Sequence, residues 1–321
     1  MGVSTASFPD KESLERALTE ISGKPVSVLE RNPNRWRSTY PSEVVICRSE
    51  VLGDHPILCK YEVAGAIRAA YGHRRGPGYE ALVYGRLLRQ LDLSSPAFHG
   101  AYTLPGGSET WLFIAYLGEG AGVDEADSPE SAMELAAAWL GAFHAAGERW
   151  LSESGSSFLA VYDPDYYTQW IRRTADFAGA WHDRLPWLAP LCKAAESCVA
   201  AFFDDLPVVI HGEFTPSNVL IRDGKIQPVD WESAAVAMGE IDLVSLIEKW
   251  PSPVAERCRA AYGKARWPAG APEAFARRTA LSWLYWHFRW LGERKDWLEQ
   301  SGTADRFDHL REVGKSLGLV R

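Results

Sequence analysis

A chain of 321 residues, of which 46% are hydrophobic and 24% charged, has enough apolar surface to fold into two domains or one large two-lobed domain, which excludes a disordered protein. The 42 acidic and 34 basic side chains give a formal net charge of −8, and this argues against a nucleic-acid partner, which would need a basic face. No apolar run is long enough to span a membrane, the first residues lack the apolar core of a signal peptide, and the five scattered cysteines are typical of reduced thiols, so we expect a cytoplasmic protein without a membrane partner.

The first third of the chain is predicted to form a small antiparallel sheet that carries one helix. After an initial amphipathic helix over residues 9–22, short runs rich in β-branched and aromatic residues alternate with turn residues such as Gly53 and Pro56. A helix is expected over residues 79–91, where apolar side chains recur at helical spacing. The predicted strands lie at residues 26–29, 43–47, 57–61, 98–104 and 110–117.

From about residue 118 the spacing of apolar residues becomes helical. Leu135, Trp139 and Phe143 recur every four residues and predict a core-facing helix over residues 129–146, which begins at a proline after a capping serine. Farther along the chain we expect helices in residues 164–204 and 240–321, and short strands at residues 207–210, 218–221 and 225–229.

This change of pattern predicts an α+β protein with two domains. Residues 1–117 are expected to form a small antiparallel β lobe, and residues 118–321 a larger, mainly helical lobe. A hinge is expected at residues 115–119, where the two patterns meet.

The polar residues with the clearest chemical pattern follow or precede the short strands between residues 208 and 243. They are His211, Glu213, Asn218, Asp230 and Asp242. Mg²⁺ takes oxygen ligands, a few from protein and the rest from phosphate and water, and a further carboxylate close to the metal can orient an attacking hydroxyl group. The set therefore indicates a divalent-metal phosphate site, with a group of solvated loop acids as the alternative interpretation.

The same segment resembles the aminoglycoside phosphotransferase family, which has a protein-kinase-like fold. The family's catalytic loop reads His-Gly-Asp, four residues and Asn, and this chain has His211-Gly212-Glu213 with Asn218 at that spacing. The family's metal-binding Asp-Trp-Glu is matched by Asp230-Trp231-Glu232, and a later family aspartate is matched by Asp242. Weaker matches are Lys60 at the end of an apolar strand, Glu80 at the start of a helix, and the segment Leu140–Ala145.

The resemblance implies a bilobal fold whose first lobe binds nucleotide and whose second lobe carries catalysis and binds an acceptor. It implies ATP, or GTP, and Mg²⁺ as cofactors. The implied reaction is transfer of the γ-phosphate to a hydroxyl of an antibiotic, a sugar or another natural product. Action on an antibiotic would confer antibiotic resistance.

The resemblance also implies a role for each matching residue. Lys60 would contact the nucleotide phosphates and be held by Glu80. Ser38 and Thr39 occupy the place of the family's phosphate loop and would contact phosphate there. Asn218 and Asp230 would hold Mg²⁺. Glu213 would orient the acceptor hydroxyl, and His211 and Asp242 would support the catalytic loop.

Two departures from the family pattern keep other functions open. Glu213 stands where the family has aspartate, and no glycine-rich phosphate loop is present. These departures motivate the alternative of a non-catalytic kinase-like protein that binds a nucleotide or metabolite. A third alternative is a kinase-like fold with other nucleotide chemistry, such as nucleotidyl transfer. Lys60, Asn218 and Asp230 favour the kinase, because a binding protein need not keep both metal ligands.

Overall fold

The computed structural model describes residues 8–35, 39–53, 55–63, 74–107, 109–118, 122–154, 158–299 and 303–321, except the side chains of residues 297 and 299. The chain divides into two compact units. The first comprises Met1–Ala126 and Ser217–Ser233, and the second comprises Asp127–Pro216 and Ala234–Arg321. The first unit thus extends past residue 117 and takes in a later segment of the chain. The assignment of nucleotide binding to the first part and acceptor binding to the second stays a prediction.

An antiparallel sheet forms the centre of the first unit. It consists of β1 (Ser27–Pro33), β2 (Ser42–Arg48), β3 (Ile57–Tyr61), β4 (Phe98–Thr103) and β5 (Thr110–Ala115). The strands lie in the order β1-β2-β3-β5-β4, and every neighbouring pair is antiparallel. Because β3 has a hydrogen-bonded strand on each side, the position of its residues, Lys60 among them, is fixed from both edges.

Two helices belong to the same unit. The first, α1 (Lys11–Ser22), begins after Asp10, whose carboxylate accepts the backbone N–H of Ser13 at 2.8 Å and caps the helix. The second, α2 (Gly76–Leu82), begins three residues before the predicted helix and continues as a π-helical turn over Val83–Leu87. Glu80 lies on α2 and is buried.

A hairpin from later in the chain completes the first unit. Its strands are β8 (Val219–Arg222) and β9 (Lys225–Pro228). An Asp223-Gly224 turn joins them, with φ of 51° and 71°, the left-handed values that suit a two-residue hairpin turn. The hairpin places Asn218 just before its first strand and Asp230 shortly after its second.

The second unit is mainly helical, as the sequence predicts. It also contains a small sheet in the order β6-β10-β7, with β6 (Ala160–Val161), β7 (Val208–Ile210) and β10 (Ala235–Ala237). None of the helices in the described residues is both long enough and apolar enough to cross a membrane. The helices are α3 (Pro129–Ser154), α4 (Pro164–Phe177), α5 (Leu188–Cys198), α6 (Glu240–Ile247), α7 (Ser252–Arg266), α8 (Phe275–Glu293) and α9 (Thr303–Ser316).

The buried face of α3 differs from the prediction at one position. Trp139 and Phe143 are buried, but Leu135 is 49% exposed, so the expectation that all three face the core is wrong for Leu135. Four residues advance a helix by about 40° more than one turn, so residues eight apart point in directions about 80° apart. Residues spaced strictly four apart therefore drift away from the buried face of the helix, which on α3 includes Met133 and Leu140.

Candidate active site

A cavity of about 320 Å³ lies within the first unit. Its polar wall includes Lys60, Asn218 and Asp230, together with the acidic residues Asp124 and Glu125. The volume lies in the range of sites for small molecules, which combine apolar walls with a few polar groups. The apolar lining residues are Leu58, Ile114, Leu220 and Val229, and residues 115–118 complete the wall after β5.

The ammonium group of Lys60 is held between two carboxylates. Its Nζ lies 2.9 Å from Oε2 of Glu80 and 2.6 Å from Oδ1 of Asp230. Burial lowers the pKa of Lys60, but the negative charges of Asp230 and Glu80 raise it more, so that its pKa lies well above the usual value. Lys60 is therefore a fixed cation at the cavity wall, which is what contact with a phosphate would require.

Glu80 links Lys60 to the chain that follows β9. Its other carboxylate oxygen, Oε1, accepts the backbone N–H of Trp231 at 3.2 Å. The preceding residue, Asp230, has φ of 69°, a left-handed value that is uncommon for a residue with a side chain. Such strain persists where the surroundings impose it. Here the ion pair with Lys60 restrains the side chain of the strained residue, and the hydrogen bond at Trp231 restrains the backbone that follows it.

Of the two residues predicted to replace the phosphate loop, Thr39 is described, whereas Ser38 lies outside the described residues. The hydroxyl of Thr39 donates to Oε1 of Glu232 at 3.1 Å, and Nε of Arg74 lies 3.6 Å from the same oxygen. Burial, aided by the charge of Asp230, raises the pKa of Glu232 to about 8. The sequence predicts no role for Glu232, although the Asp-Trp-Glu match contains it. The phosphate contact of Thr39 stays a prediction.

Asn218 and Asp230 have the donor atoms that Mg²⁺ prefers. Both line the cavity, and both offer oxygen atoms, one from an amide and one from a carboxylate. In the described part of the chain, no group of three or more His, Cys, Asp or Glu side chains could hold a metal ion. Two protein oxygens nevertheless suit Mg²⁺ beside a nucleotide, because phosphate and water supply the other ligands. The residues present therefore fit this ion.

In the second unit, Asp242 holds the loop that begins at His211. Its carboxylate accepts the backbone N–H of His211 at 2.6 Å and that of Gly212 at 2.9 Å. Nε2 of His144 lies 3.2 Å from the same carboxylate, and all of these groups are buried. Gly212 has φ of 85°, so the loop needs a glycine at this turn. The contacts are those that structural support of the loop would require.

Glu213 follows in the same loop, and two neighbours restrain it. Its backbone N–H donates to Nδ1 of His211 at 3.3 Å, so the His211 ring supports the loop from within. Its carboxylate forms a salt bridge with the guanidinium group of Arg289 on α8. Arg289 is a functional candidate that the sequence did not predict. The available signal was an arginine between the apolar and aromatic residues of the segment that forms α8, because a charged side chain is seldom buried without a partner.

The structure thus brings the predicted site residues together in two groups, one in each unit. Lys60 contacts both Glu80 and Asp230, and Asn218 lines the same cavity. In the second unit, His211 contacts Glu213 and Asp242. The functional roles of these residues stay predictions.

The family model described as a phosphotransferase enzyme family matches residues 68–281, which is 214 of the 321 residues. No curated protein matches the chain in sequence.

Solved structures of small-molecule phosphotransferases share the fold over nearly the whole chain. Choline kinase LicA from Streptococcus pneumoniae is 12% identical, with a TM-score of 0.58, and the match covers 96% of this chain and 98% of that one. Aminoglycoside phosphotransferase APH(2'')-Ib with bound ADP is 14% identical, with a TM-score of 0.59 and coverage of 95% and 98%. Spectinomycin phosphotransferase APH(9)-Ia in complex with ADP and spectinomycin is 13% identical, with a TM-score of 0.58 and coverage of 98% and 100%. These similarities confirm the predicted α+β, protein-kinase-like fold class.

Proposed function

The chain belongs to the phosphotransferase enzyme family, and we propose that it is a small-molecule kinase that transfers the γ-phosphate of ATP or GTP to a hydroxyl group. The observation that carries this proposal is the fixed Lys60 cation, held between Glu80 and Asp230 in the wall of a cavity that Asn218 also lines. A buried lysine paired with a helical glutamate is what a kinase uses to hold nucleotide phosphates.

The cavity of the first unit suits a nucleoside triphosphate. Apolar side chains such as Leu58, Ile114 and Val229 offer surfaces against which a purine base can pack. Lys60 would bind the phosphates, and Asn218 and Asp230 would hold Mg²⁺. When bound, Mg²⁺ supplies neutralisation of the phosphate charge.

Glu213 would act on the acceptor. In this proposal its carboxylate accepts a hydrogen bond from the acceptor hydroxyl and takes the proton as the oxygen bonds to the γ-phosphorus. The bond between that phosphorus and the bridging oxygen breaks, and the nucleoside diphosphate leaves. Because the transition state of phosphoryl transfer is loose, orientation of the hydroxyl matters more than early removal of its proton. Asp242 and His211 would fix the loop that presents Glu213.

The acceptor would be a hydroxylated natural product such as an antibiotic or a sugar. The structures with a similar fold include enzymes named for aminoglycosides, spectinomycin and choline, and the net charge of −8 is compatible with a cationic acceptor of this kind. Action on an antibiotic would confer resistance. A cytoplasmic location, in keeping with five scattered cysteines, would give the enzyme access to ATP.

Mass spectrometry tests the proposal directly. Purified protein is incubated with Mg²⁺ and ATP or GTP and a panel of hydroxylated natural products, and each acceptor is inspected for the mass of one added phosphoryl group. The variant Lys60→Met should lose this gain, whereas Lys193→Met, at an exposed lysine of α5, should keep it. A gain of a nucleoside monophosphate would indicate nucleotidyl transfer instead. Nucleotide binding without transfer to any acceptor would favour the non-catalytic alternative.

A further inference from the structure

Arg289 is a buried arginine whose guanidinium group reaches the residue proposed to orient the acceptor. It lies on α8 and is only 4% exposed, and its Nη2 donates to Oε1 of Glu213, which is itself 8% exposed. Two buried side chains of opposite charge are thus paired in the second unit. Removing both charged groups from water costs free energy, whereas a contact between two apolar side chains would carry no such cost.

Other contacts restrain the guanidinium group of Arg289. Its Nη2 lies 3.8 Å from Oε2 of Glu293, one turn later on α8, and its guanidinium carbon lies 5.0 Å from the centre of the Trp286 ring. An arginine stays charged in such surroundings, because its pKa is high and the nearby carboxylates raise it further despite burial. Among the residues that the structure describes, the titratable and charged groups that face Arg289 include Glu213, Glu293, Tyr162, Tyr166, Tyr285 and Arg306.

We propose that Arg289 is a positioning residue for phosphoryl transfer, an inference that rests on the proposed function. Arg289 keeps the buried carboxylate of Glu213 ionised and fixes the direction of that carboxylate. A carboxylate in a buried loop would otherwise bind a proton readily, since burial disfavours the charged form. A protonated carboxyl group cannot take the proton of the acceptor hydroxyl. Arg289 therefore acts through Glu213.

The pair also explains why glutamate stands where the family has aspartate. An aspartate at position 213 would be shorter by one carbon–carbon bond, about 1.5 Å. A hydrogen bond lengthened by that amount is lost. Glu213 and Arg289 are thus matched in reach, and the contact with the arginine at position 289 needs the longer acid at position 213.

The proposal fixes the direction of a pH effect. In the present structure, the guanidinium group of Arg289 offsets the negative charges of Glu213 and Glu293. Without Arg289, the carboxylate of Glu213 would remain buried beside the like charge of Glu293. Glu213 would then take up a proton at higher pH. Because the base is active only when deprotonated, the acid limb of kcat/KM would move to higher pH.

The test compares pH profiles of kcat/KM for Arg289→Gln, Arg289→Lys and a control, Arg278→Gln. Arg289→Gln should lose about 100-fold at neutral pH and recover part of that loss at alkaline pH. Arg289→Lys keeps the charge and should keep the wild-type acid limb with a lower kcat. The KM for nucleotide should not change. Arg278 lies on the same helix, is buried and pairs with Glu240, so its loss should reduce stability without moving the acid limb.

An acid limb in Arg289→Gln that coincides with that of the wild type would overturn the proposal. If Arg289→Gln does not fold, Glu213→Asp takes its place, because it keeps every charge but shortens the acid. In Glu213→Asp the acid limb of kcat/KM should also move to higher pH. An acid limb at the wild-type position would contradict the proposal.

A second readout does not depend on turnover. The midpoint of the Glu213 carboxyl titration can be followed by carbon NMR, with Glu213→Gln used to assign the signal. Equal midpoints in the wild type and Arg289→Gln would overturn the role of Arg289. A wild-type protein that transfers no phosphate, with midpoints that nevertheless differ, would overturn only the proposed function.

Discussion

Two acids with proposed roles, Asp230 in the first unit and Glu213 in the second, are each paired with a buried cation. Asp230 contacts Lys60 and Glu213 contacts Arg289. A charge removed from water is costly unless a partner offsets it, so substitution of one member of such a pair affects the other. A substitution in either pair therefore needs a check that the fold is intact before its effect on activity is interpreted.

At Asp230 we expect a loss of metal-dependent turnover. Asp230→Ala removes the one charged oxygen ligand of the proposed Mg²⁺ site, and phosphoryl transfer should fall roughly 100-fold or more. Asn218→Ala should cost less, because water can replace a neutral ligand. Rates measured over a range of Mg²⁺ concentrations test this, with Asp92→Ala at an exposed position of the same unit as control. Full activity in Asp230→Ala, with the fold intact by circular dichroism, would remove Asp230 from the mechanism.

At Glu213 the expected effect is on rate and not on nucleotide binding. Glu213→Gln preserves size and removes the charge, so phosphoryl transfer should fall about 10²–10⁴-fold, the usual contribution of a positioned base. Glu213 is not among the residues that line the cavity of the first unit, where the nucleotide is proposed to bind, so calorimetry should give an unchanged Kd for ATP. A wild-type rate in Glu213→Gln would mean that another group takes the proton.

At the scale of elements, the start of α6 is tied to the loop after β7 through Asp242. Two backbone N–H groups donate to this buried carboxylate, and hydrogen bonds to a charged group are worth about 1.5–3 kcal/mol. Asp242→Asn weakens both, so we expect the free energy of unfolding in urea to fall by about 2 kcal/mol. Asp308→Asn, at an exposed position of α9, should leave it within about 0.5 kcal/mol of the wild type. Equal stabilities of the two variants would contradict the support that we assign to Asp242.

The contact of α3 with α7 depends on the absence of a side chain at Gly141. A Cβ at this position would lie 2.4 Å from the carbonyl oxygen of Tyr262, closer than atoms can approach. Gly141→Ala should therefore destabilise the protein by about 1–3 kcal/mol, the typical cost of overpacking.

Gly263 on α7 is the matched control for Gly141. A Cβ there would meet no atom nearer than 3.9 Å, so Gly263→Ala should raise stability by about 0.5–1 kcal/mol through helix propensity. Thermal or urea unfolding compares the two variants. Stabilisation by both substitutions would show that the helices can separate at Gly141 without cost.

The sequence predicts well those elements whose own residues have a characteristic pattern, such as a run of β-branched residues or a turn motif. The strands of the first unit show β-branched runs between turn residues, and the Asp223-Gly224 turn has its own signature. Leu135 fails because helical spacing alone does not say how wide the buried stripe is. The start of α2 is missed because the prediction rests on apolar spacing, which Gly76 and Pro77 do not extend, although proline suits the first turn of a helix.

At the scale of the whole molecule, a buried histidine makes stability depend on pH. Burial, with the charge of Arg306, lowers the pKa of His287 to about 3, below the usual value of 6.5. The unfolded chain therefore binds a proton below about pH 6.5 that the folded protein binds only near pH 3, so stability is complete above 6.5 and falls as pH decreases. One such group contributes at most about 1.4 kcal/mol per pH unit.

Replacing His287 should flatten this dependence. The slope of the unfolding free energy against pH should be smaller in His287→Gln than in the wild type between pH 6 and pH 4, as measured by urea unfolding. His182 has 78% of its side chain exposed, so His182→Gln should keep the wild-type slope. An unchanged slope in His287→Gln would show that other groups dominate the acid sensitivity.

For the molecule as a whole, the contacts that the sequence does not predict are those between residues far apart in the chain. The motif spacing identifies Asn218, Asp230 and Asp242, but Thr39 meets Glu232 across 193 positions and Arg289 meets Glu213 across 76. No periodicity or motif in the sequence relates the members of these two pairs, since only the folded chain brings them together. Arg289 looks like any helix arginine until the burial of α8 is known.

The central claim is phosphoryl transfer from a nucleotide to a hydroxyl group, and label transfer tests it most directly. ATP and GTP carrying a radioactive γ-phosphate are incubated with Mg²⁺, an acceptor panel, and either the wild type or Asp230→Ala. We predict label on at least one hydroxylated acceptor with the wild type and none above background with Asp230→Ala. Nucleotide that binds the wild type but yields no labelled acceptor across the panel, or equal labelling by both proteins, would contradict the account.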